Sequence, residues 1–209
     1  MHFEILSEQQ KLLLPHLQQF KRNFYLVWGT AVALYIGHRQ SIDFELFTYN
    51  SSLNKSALKQ KIAKIPFPKI PIYEDTDQLH LNINEIKTTF FAYPYQVLHS
   101  NKVENYLTMP TLLELAAMKA FALGRRAKWK DYVDLYFIIK KFFSLNEILE
   151  KAYQIYGKEL FSEKLFCAQL SYHNDINYNE EIEFINGCAI DKQEVKDFLI
   201  EKAISFLNN

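Results

Sequence analysis

Several residue types are scarce in this chain, and each scarcity excludes a class of protein. The 209 residues include two cysteines, Cys167 and Cys188, too few for a disulfide framework and not in a metal-ligand spacing. Five glycines and six prolines form no low-complexity linker. No apolar run reaches membrane-spanning length, and residues 1–20 lack the features of a signal peptide. We therefore expect a soluble protein of the reducing cytoplasm with free thiols and no membrane partner.

The chain also lacks a net charge, because 24 Lys and Arg residues balance 24 Asp and Glu residues. A balanced chain has no overall positive field, so any nucleic-acid site has to be a local patch. Hydrophobic residues make up 49% of the sequence, which is enough for a sizeable core and argues against disorder. The length suits one mid-sized domain or two closely packed small ones.

Residues 24–48 hold the most informative pattern. A short apolar run, Phe24 to Val27, leads to Gly29-Thr30, where the backbone can turn tightly or approach a ligand. Residues 31–36 are small and apolar and predict a short buried helix, which Gly37 ends. A polar corner follows, formed by His38, Arg39 and Ser41.

The polar corner leads into a strand in which apolar and acidic residues alternate. One face is predicted to carry Ile42, Phe44 and Leu46. Asp43 and Glu45 then share the other face as a side-by-side pair of carboxylates. Such a pair suits a hard cation, Mg²⁺ or Mn²⁺, especially when a phosphate completes the ligand shell. The alternative is a solvated strand face, the ordinary meaning of an isolated acid-x-acid pattern.

This pattern resembles the AbiEii/AbiGii toxin family of the nucleotidyltransferase (polymerase-beta-like) superfamily. The matching residues are Gly29-Thr30-Ala31, Gly37-His38-Arg39, Ser41 and Asp43-Phe44-Glu45-Leu46-Phe47. The resemblance implies an α+β nucleotidyltransferase fold, a small mixed sheet flanked by helices, in residues 1–107. It also implies that residues 108–209 form a helical domain that completes the active-site cleft.

A second part of the resemblance lies further along the chain. Thr111 and Glu114 form a capping box for a helix predicted to run to about Leu123 and to be stopped by Gly124. Lys119 lies inside this apolar helix, and the resemblance assigns it to contact with a triphosphate. The alternative is a lysine that extends to solvent.

The segment from Arg125 to Tyr136 is similar to the family pattern RgkxKDxxDLY. Asp131 and Asp134 are one helical turn apart, as are Lys130 and Asp134. A carboxylate here would orient the lysine and arginine side chains or accept a proton from the attacking hydroxyl. The alternative is an ion pair between residues i and i+4 on a surface helix.

Together the residues and the resemblance define a predicted site. The predicted metal ligands are Asp43 and Glu45. The predicted catalytic residues are Asp43, Glu45, Lys119, Asp131 and Asp134. The predicted nucleotide-binding residues are Gly29, Thr30, His38, Arg39, Ser41, Lys119, Arg126 and Lys130. The implied reaction is Mg²⁺-dependent transfer of a nucleoside monophosphate from an NTP to an RNA (tRNA) or protein acceptor. The implied biology is a toxin with a cognate antitoxin, or a protein of abortive infection.

Two departures from the family support a different function. Trp28 replaces a small residue at the turn, and no carboxylate is found near Thr89, where superfamily members commonly carry a third one. The alternative is therefore a catalytically degenerate protein that binds a nucleotide or a protein partner without transfer. A plain RNA-binding module is a further alternative, for which the lysines of a helix at residues 54–64 would form a basic flank. The same lysines are equally the solvated face of an amphipathic helix.

The other elements follow from periodicity and turn signals. The sequence predicts helices at residues 6–22, 54–64, 145–156, 158–170 and 194–207, and a hairpin of strands at 79–83 and 86–93. Three prolines at positions 66, 68 and 71 predict an extended loop. Glu180, Glu181 and Glu183 are predicted to form a solvated acidic edge.

Overall fold

A mixed sheet and a set of helices make up the chain, in the order that the α+β prediction requires. The computed structural model describes residues 1–123 and 125–208. The strands are β1 Tyr25–Leu26, β2 Phe44–Thr48, β3 Lys69–Glu74, β4 Gln78–Ile83, β5 Ile86–Ala92, β6 Asn101–Val103 and β7 Leu107–Met109. The α-helices are α1 Glu8–Leu17, α2 Trp28–Ile36, α3 Lys55–Ala63, α4 Leu112–Leu123, α5 Trp129–Lys141, α6 Leu145–Leu160, α7 Glu163–Ser171 and α8 Lys192–Leu207. Gly124, predicted to stop a helix, lies outside the described residues.

The larger sheet has five strands in the order β1-β2-β5-β4-β3. β2 and β5 are parallel, and the other neighbours are antiparallel. The register sets Glu45 of β2 opposite Thr89 of β5, and Thr89 opposite His80 of β4. These three residues therefore lie on the same face of the sheet, because paired residues of neighbouring strands project to one side. β6 and β7 form a separate two-stranded sheet.

The predicted hairpin is confirmed, while the predicted proline loop is wrong in part. β4 and β5 pair through Ile83 and Ile86 and leave Asn84 and Glu85 as a two-residue turn, both with positive φ. Such φ values are those of the tight turns that suit the twist of a hairpin. The proline segment forms β3, the outermost strand, where Pro71 is tolerated because an edge strand leaves N–H positions unpaired.

Helix α1 is shorter than the periodicity predicts. Ser7 caps it with a full capping box to Gln10. Pro15 lies within the last turn, and the chain tightens into a 3-10 helix at residues 18–20. This helix buries Leu13 and Leu17 in the core.

Helix α4 is the centre of the helical half and contacts α2, α5, α6 and α7. The predicted capping box is confirmed: Thr111 donates its backbone N–H to Glu114 Oε2 at 2.9 Å, and Glu114 donates its own to Thr111 Oγ1 at 3.3 Å. Because neighbours surround α4, even Lys119 is 1% exposed, so the alternative of a lysine that extends to solvent is wrong. No helix in the described part of the chain combines the length and apolar character needed to cross a bilayer.

The predicted turn before α2 has a different geometry from the expected one. The left-handed residue is Trp28, with φ of 55°, and Gly29 is already inside the helix. The predicted end is confirmed: Gly37 has a φ of 69° and closes the helix in the left-handed conformation.

Candidate active site

Asp43 and Glu45 lie at the start of β2, at the parallel pairing with β5. Both carboxylates are partly buried, and Thr30 holds the backbone next to them by donating its hydroxyl to the Asp43 carbonyl, while Ser41 Oγ lies 2.9 Å from Thr30 Oγ1. The predicted alternation of buried and acidic residues begins at Phe44 and not at Ile42. Ile42 is 59% exposed, because β2 begins at Phe44 and Ile42 lies outside the sheet.

The carboxyl group of Glu45 has a strongly altered proton affinity. Burial is the largest cause and raises its pKa, Arg126 lowers it and the charge of Asp43 raises it, which leaves the pKa at about 7. A pair of acids at this spacing is stabilised when a cation shares its oxygens. The described residues contain no group of three His, Cys, Asp or Glu side chains that would hold a metal by themselves. Asp43 and Glu45 thus fit a hard cation whose remaining ligands are substrate phosphate and water.

The opposite wall of the cleft comes from α4, the loop after it and α5. Lys119 Nζ lies 2.6 Å from Asp131 Oδ1, and Arg126 Nε lies 3.2 Å from Asp131 Oδ2. Burial alone would raise the pKa of Asp131, but the charges of Lys119 and Arg126 lower it below its usual value. Asp131 is therefore an ionised carboxylate that orients two cations toward the cleft.

Asp134 lies behind this wall and is fully buried. Its Oδ1 accepts from His38 Nε2 and from Arg39 Nε, both at 2.7 Å. Its Oδ2 accepts from Arg39 Nη2 at 2.8 Å and lies 2.8 Å from Lys119 Nζ. Burial would raise the pKa of Asp134, but Arg39 and Lys119 keep it well below the usual range. The surface ion pair considered from the sequence is therefore wrong for Asp134.

His38 and Arg39 come from the polar corner and are almost inaccessible to solvent. Burial lowers the pKa of His38, so the ring is neutral and its Nε2 carries the proton donated to Asp134. Arg39 passes close to the first turn of α2. A Cβ added at Gly29 would lie 2.9 Å from Arg39 Nη2 and 3.3 Å from Ser41 Oγ, so a larger residue here would have to shift the guanidinium that Asp134 binds.

Trp28 forms one side of the cleft. The guanidinium of Arg126 lies 4.6 Å from the centre of the Trp28 ring, and Lys119 Nζ lies 5.8 Å from it. Phe47 packs against the edge of the ring at 5.9 Å. The indole therefore supports the two cations through cation–π contacts.

The predicted site residues fall into two groups. Those that line the cleft are Gly29, Arg39, Ser41, Asp43, Glu45, Lys119, Arg126, Lys130 and Asp131. Three others, Thr30, His38 and Asp134, are buried behind it, where they hold backbone or charged neighbours. Direct nucleotide contact by Thr30 and His38, as predicted, does not match this geometry, because their polar atoms face protein groups.

Sequence reasoning missed Lys128 and Glu180, which also line the cleft. Glu180 Oε2 lies 2.7 Å from Lys130 Nζ, and Glu180 Oε1 lies 3.1 Å from Lys128 Nζ. Glu180 is exposed, as the prediction of a solvated acidic edge requires, but it also pairs with two lysines, which that prediction did not include. About fifty residues separate it from these lysines, and no local pattern in the sequence indicates that they meet.

The position expected for a third carboxylate is occupied by Thr89. Its Oγ1 lies 3.1 Å from His80 Nδ1, and the other ring nitrogen of His80 lies 2.8 Å from Gln78 Oε1. Burial lowers the pKa of His80 below its usual value. A neutral hydroxyl–imidazole pair thus replaces an acid in this strand.

The proposed basic flank on α3 is occupied by local partners. Lys59 Nζ lies 2.7 Å and Lys55 Nζ 3.6 Å from Glu74. Lys61 donates to the Gln19 carbonyl at 3.1 Å. These contacts favour the amphipathic-helix interpretation.

Comparisons with known proteins bear on the fold. No protein-family model matches the chain. A nucleotidyltransferase toxin of Mycobacterium tuberculosis, MenT4, is similar in structure, with a TM-score of 0.62 and 14% identity over 96% of this chain and 82% of that one. The chain has the nucleotidyltransferase fold.

Two further comparisons extend over most of the chain. A proposed nucleotidyltransferase from Helicobacter pylori matches with a TM-score of 0.55 and 16% identity, over 97% of this chain and 96% of that one. An uncharacterized protein of Aquifex aeolicus is 29% identical over an alignment 188 residues long, which covers 85% of this chain and 88% of the relative. The structural matches thus extend to the C-terminal helices, beyond Tyr136, the last residue of the family pattern in the sequence.

Proposed function

We propose that this chain is a nucleotidyltransferase that transfers a nucleoside monophosphate from an NTP to an RNA (tRNA) or protein hydroxyl. One observation carries the proposal: Asp43 and Glu45 face Lys119 and Arg126 across a single cleft of a nucleotidyltransferase fold. The likeness to a toxin supports the finer proposal of a toxin–antitoxin or abortive-infection protein, with a cognate antitoxin as partner.

Each side chain has a role that its surroundings support. Asp43 and Glu45 bind the cation, and Ser41 and the backbone at Gly29 contact the phosphates beside them. Lys119 and Arg126 neutralise the charge that develops on the phosphates as the bond to pyrophosphate breaks. When bound, Mg²⁺ or Mn²⁺ supplies charge neutralisation and orients the reacting oxygens.

The proton of the acceptor hydroxyl requires a base, and the aspartates on α5 are poor ones. Asp131 and Asp134 are held ionised by cations, and both oxygens of each are in use. We therefore propose that Asp131 and Asp134 orient the side chains of Lys119, Arg126 and Arg39. Orienting cations was one of the two roles that the sequence suggests for an acid on this helix, the other being that of a base.

Label transfer tests the proposal. The purified protein is incubated with Mg²⁺, each α-labelled NTP in turn and total bacterial RNA, with Asp43→Ala as the control. Label on RNA or on the protein, lost in Asp43→Ala, is the expected result, and it also identifies the preferred base. Absence of both transfer and Mg-NTP binding would contradict the proposal.

A second function is favoured by Thr89 and Trp28. A site without a third carboxylate, and with an indole at the turn, suits a protein that binds Mg-NTP or a protein partner without transfer. Saturable Mg-NTP binding that depends on Asp43, with no label transferred to any acceptor, would support this function. RNA binding that is independent of Asp43 would instead support a plain RNA-binding module.

A further inference from the structure

A segment near the C-terminus, residues 177–185, crosses the cleft as a strap. At its first end Asn177 donates to the Ala127 carbonyl at 2.8 Å and accepts from the Trp129 N–H at 3.1 Å. At its second end Gln40 donates to the Glu183 carbonyl at 2.9 Å, and Ile185 donates to the His38 carbonyl at 3.1 Å. One end of the strap is therefore attached to residues 127–129, at the start of α5, and the other end to residues 38–40, before β2.

Between these attachments the strap directs Glu180 into the cleft. Its carboxylate lies between Lys130 and Lys128. Burial would raise the pKa of Glu180, but the hydrogen bonds and charges of these lysines lower it to about 2. Glu180 thus provides a full negative charge within a ring of cations that includes Lys119 and Arg126.

The strap leaves little space. The cavity between it and the carboxylate pair has a volume of about 40 Å³, room for a few water molecules and too small for a triphosphate. A phosphate that enters this space beside Lys128 and Lys130 therefore meets the Glu180 carboxylate.

We propose that Lys128 and Lys130 form a phosphate subsite of the cleft and that Glu180 occupies it as a substitute for a substrate phosphate. The inference rests on the proposed function, since it concerns the same cleft and names the anionic part of its substrate. Glu180 acts as an internal competitor: one carboxylate holds the lysines in place until a polyphosphate with more charge displaces it.

The energetics allow this exchange. Glu180 and Lys128 each expose more than 40% of their side chains, and exposed ion pairs contribute little to stability. A triphosphate carries several charges and reaches Lys119 and Arg126 as well. The backbone attachments at Asn177 and Glu183 need not break for the carboxylate to swing out.

Binding of inorganic triphosphate to the full chain, measured calorimetrically at low salt, tests the inference. Glu180→Gln removes the competing charge and is expected to tighten binding about fivefold, the size expected for losing two exposed ion pairs. Glu181→Gln is the matched control, because this exposed neighbour carries the same charge and does not line the cleft. Lys128→Gln in the Glu180→Gln background is expected to remove the gain.

Three results would overturn the inference: equal affinity of Glu180→Gln and Glu181→Gln, weaker binding by Glu180→Gln, or no binding by any variant. The proposed function is judged separately by label transfer. Transfer that is lost in Asp43→Ala, with triphosphate affinity unchanged by Glu180→Gln, would leave the enzyme intact and refute the internal competitor.

Discussion

At the scale of single residues, Asp134 forms ion pairs with two buried cations behind the cleft. Its two oxygens meet two cations, Arg39 and Lys119, and the N–H of a neutral His38. Removing one member of such a buried set leaves the remaining charges unpaired. The loss in the free energy of unfolding is then larger than the net stabilisation that the complete set provides. The side chain therefore acts on stability and on the position of Lys119 together.

We expect Asp134→Asn to lower the free energy of unfolding by about 3–5 kcal/mol, because Arg39 and Lys119 lose the carboxylate that offsets their burial. Urea unfolding followed by circular dichroism measures this change. Asp197→Asn, at an exposed position of α8, is the control and should change stability by less than about 0.5 kcal/mol. A loss below about 1 kcal/mol for Asp134→Asn would contradict the buried ion set.

Glu45 gives a pH-dependent prediction for the metal-free protein. Its folded-state pKa, about 7, lies above the unfolded value of 4.5, so its contribution to stability is fully present below pH 4.5 and is lost as the pH rises through about 7. The stability of the wild type relative to Glu45→Gln should fall by roughly 3 kcal/mol over that range. Urea unfolding of both proteins in chelator, at a series of pH values, measures it. Parallel curves would show that Glu45 titrates normally.

At the scale of elements, the hairpin of β4 and β5 carries identifiable strain. Asn84 and Glu85 have φ values of 52° and 68°, a conformation that Asn tolerates and Glu does not. Asn-Gly is the favoured pair for such a turn. Glu85 in this turn therefore lowers the stability of the fold relative to a glycine at the same position.

Glu85→Gly is expected to raise the free energy of unfolding by about 0.5–1 kcal/mol, since glycine adopts positive φ without a Cβ clash. The midpoint of thermal or urea unfolding measures this. Glu150→Gly, at an exposed position inside α6, should instead cost about 1 kcal/mol. If both substitutions destabilise equally, the turn is not strained.

The elements also show what a sequence can and cannot indicate. β2 and the Thr111–Glu114 capping box were predictable because the deciding contacts lie within a few residues along the chain. β3 was missed because Pro71 usually argues against a strand, and only its edge position makes it acceptable. Glu180 was missed because its role depends on contacts with Lys128 and Lys130, which the fold brings together over a long stretch of chain.

At the scale of the whole molecule, the sheet half and the helical half share buried groups. Asp134 of α5 neutralises Arg39 of the sheet half. The hydroxyl of Tyr93, after β5, lies 2.6 Å from that of Tyr156 on α6, and both are buried. The boundary near residue 107 stays a prediction, but these contacts indicate that the halves depend on each other.

A chain that ends at residue 107 is therefore expected not to fold cooperatively. It would expose the side of α2 that packs on α4 and α5, and it would remove the Asp134 carboxylate that pairs with Arg39. Urea unfolding followed by circular dichroism should show a broad, gradual change for this fragment and a sigmoidal one for the full chain. A sharp transition for the fragment would contradict the dependence.

The positions of the two tryptophans have a practical consequence. Trp28 faces the guanidinium of Arg126 in the cleft, and the ring of Trp129 lies 5.4 Å from that of Tyr178 in the strap. Because the chain contains no other tryptophan, its tryptophan fluorescence, excited apart from that of the tyrosines, comes from one side of the cleft and from a ring packed against the strap. The protein thus carries its own optical reporter, and arrival of a ligand can be followed by emission without any label.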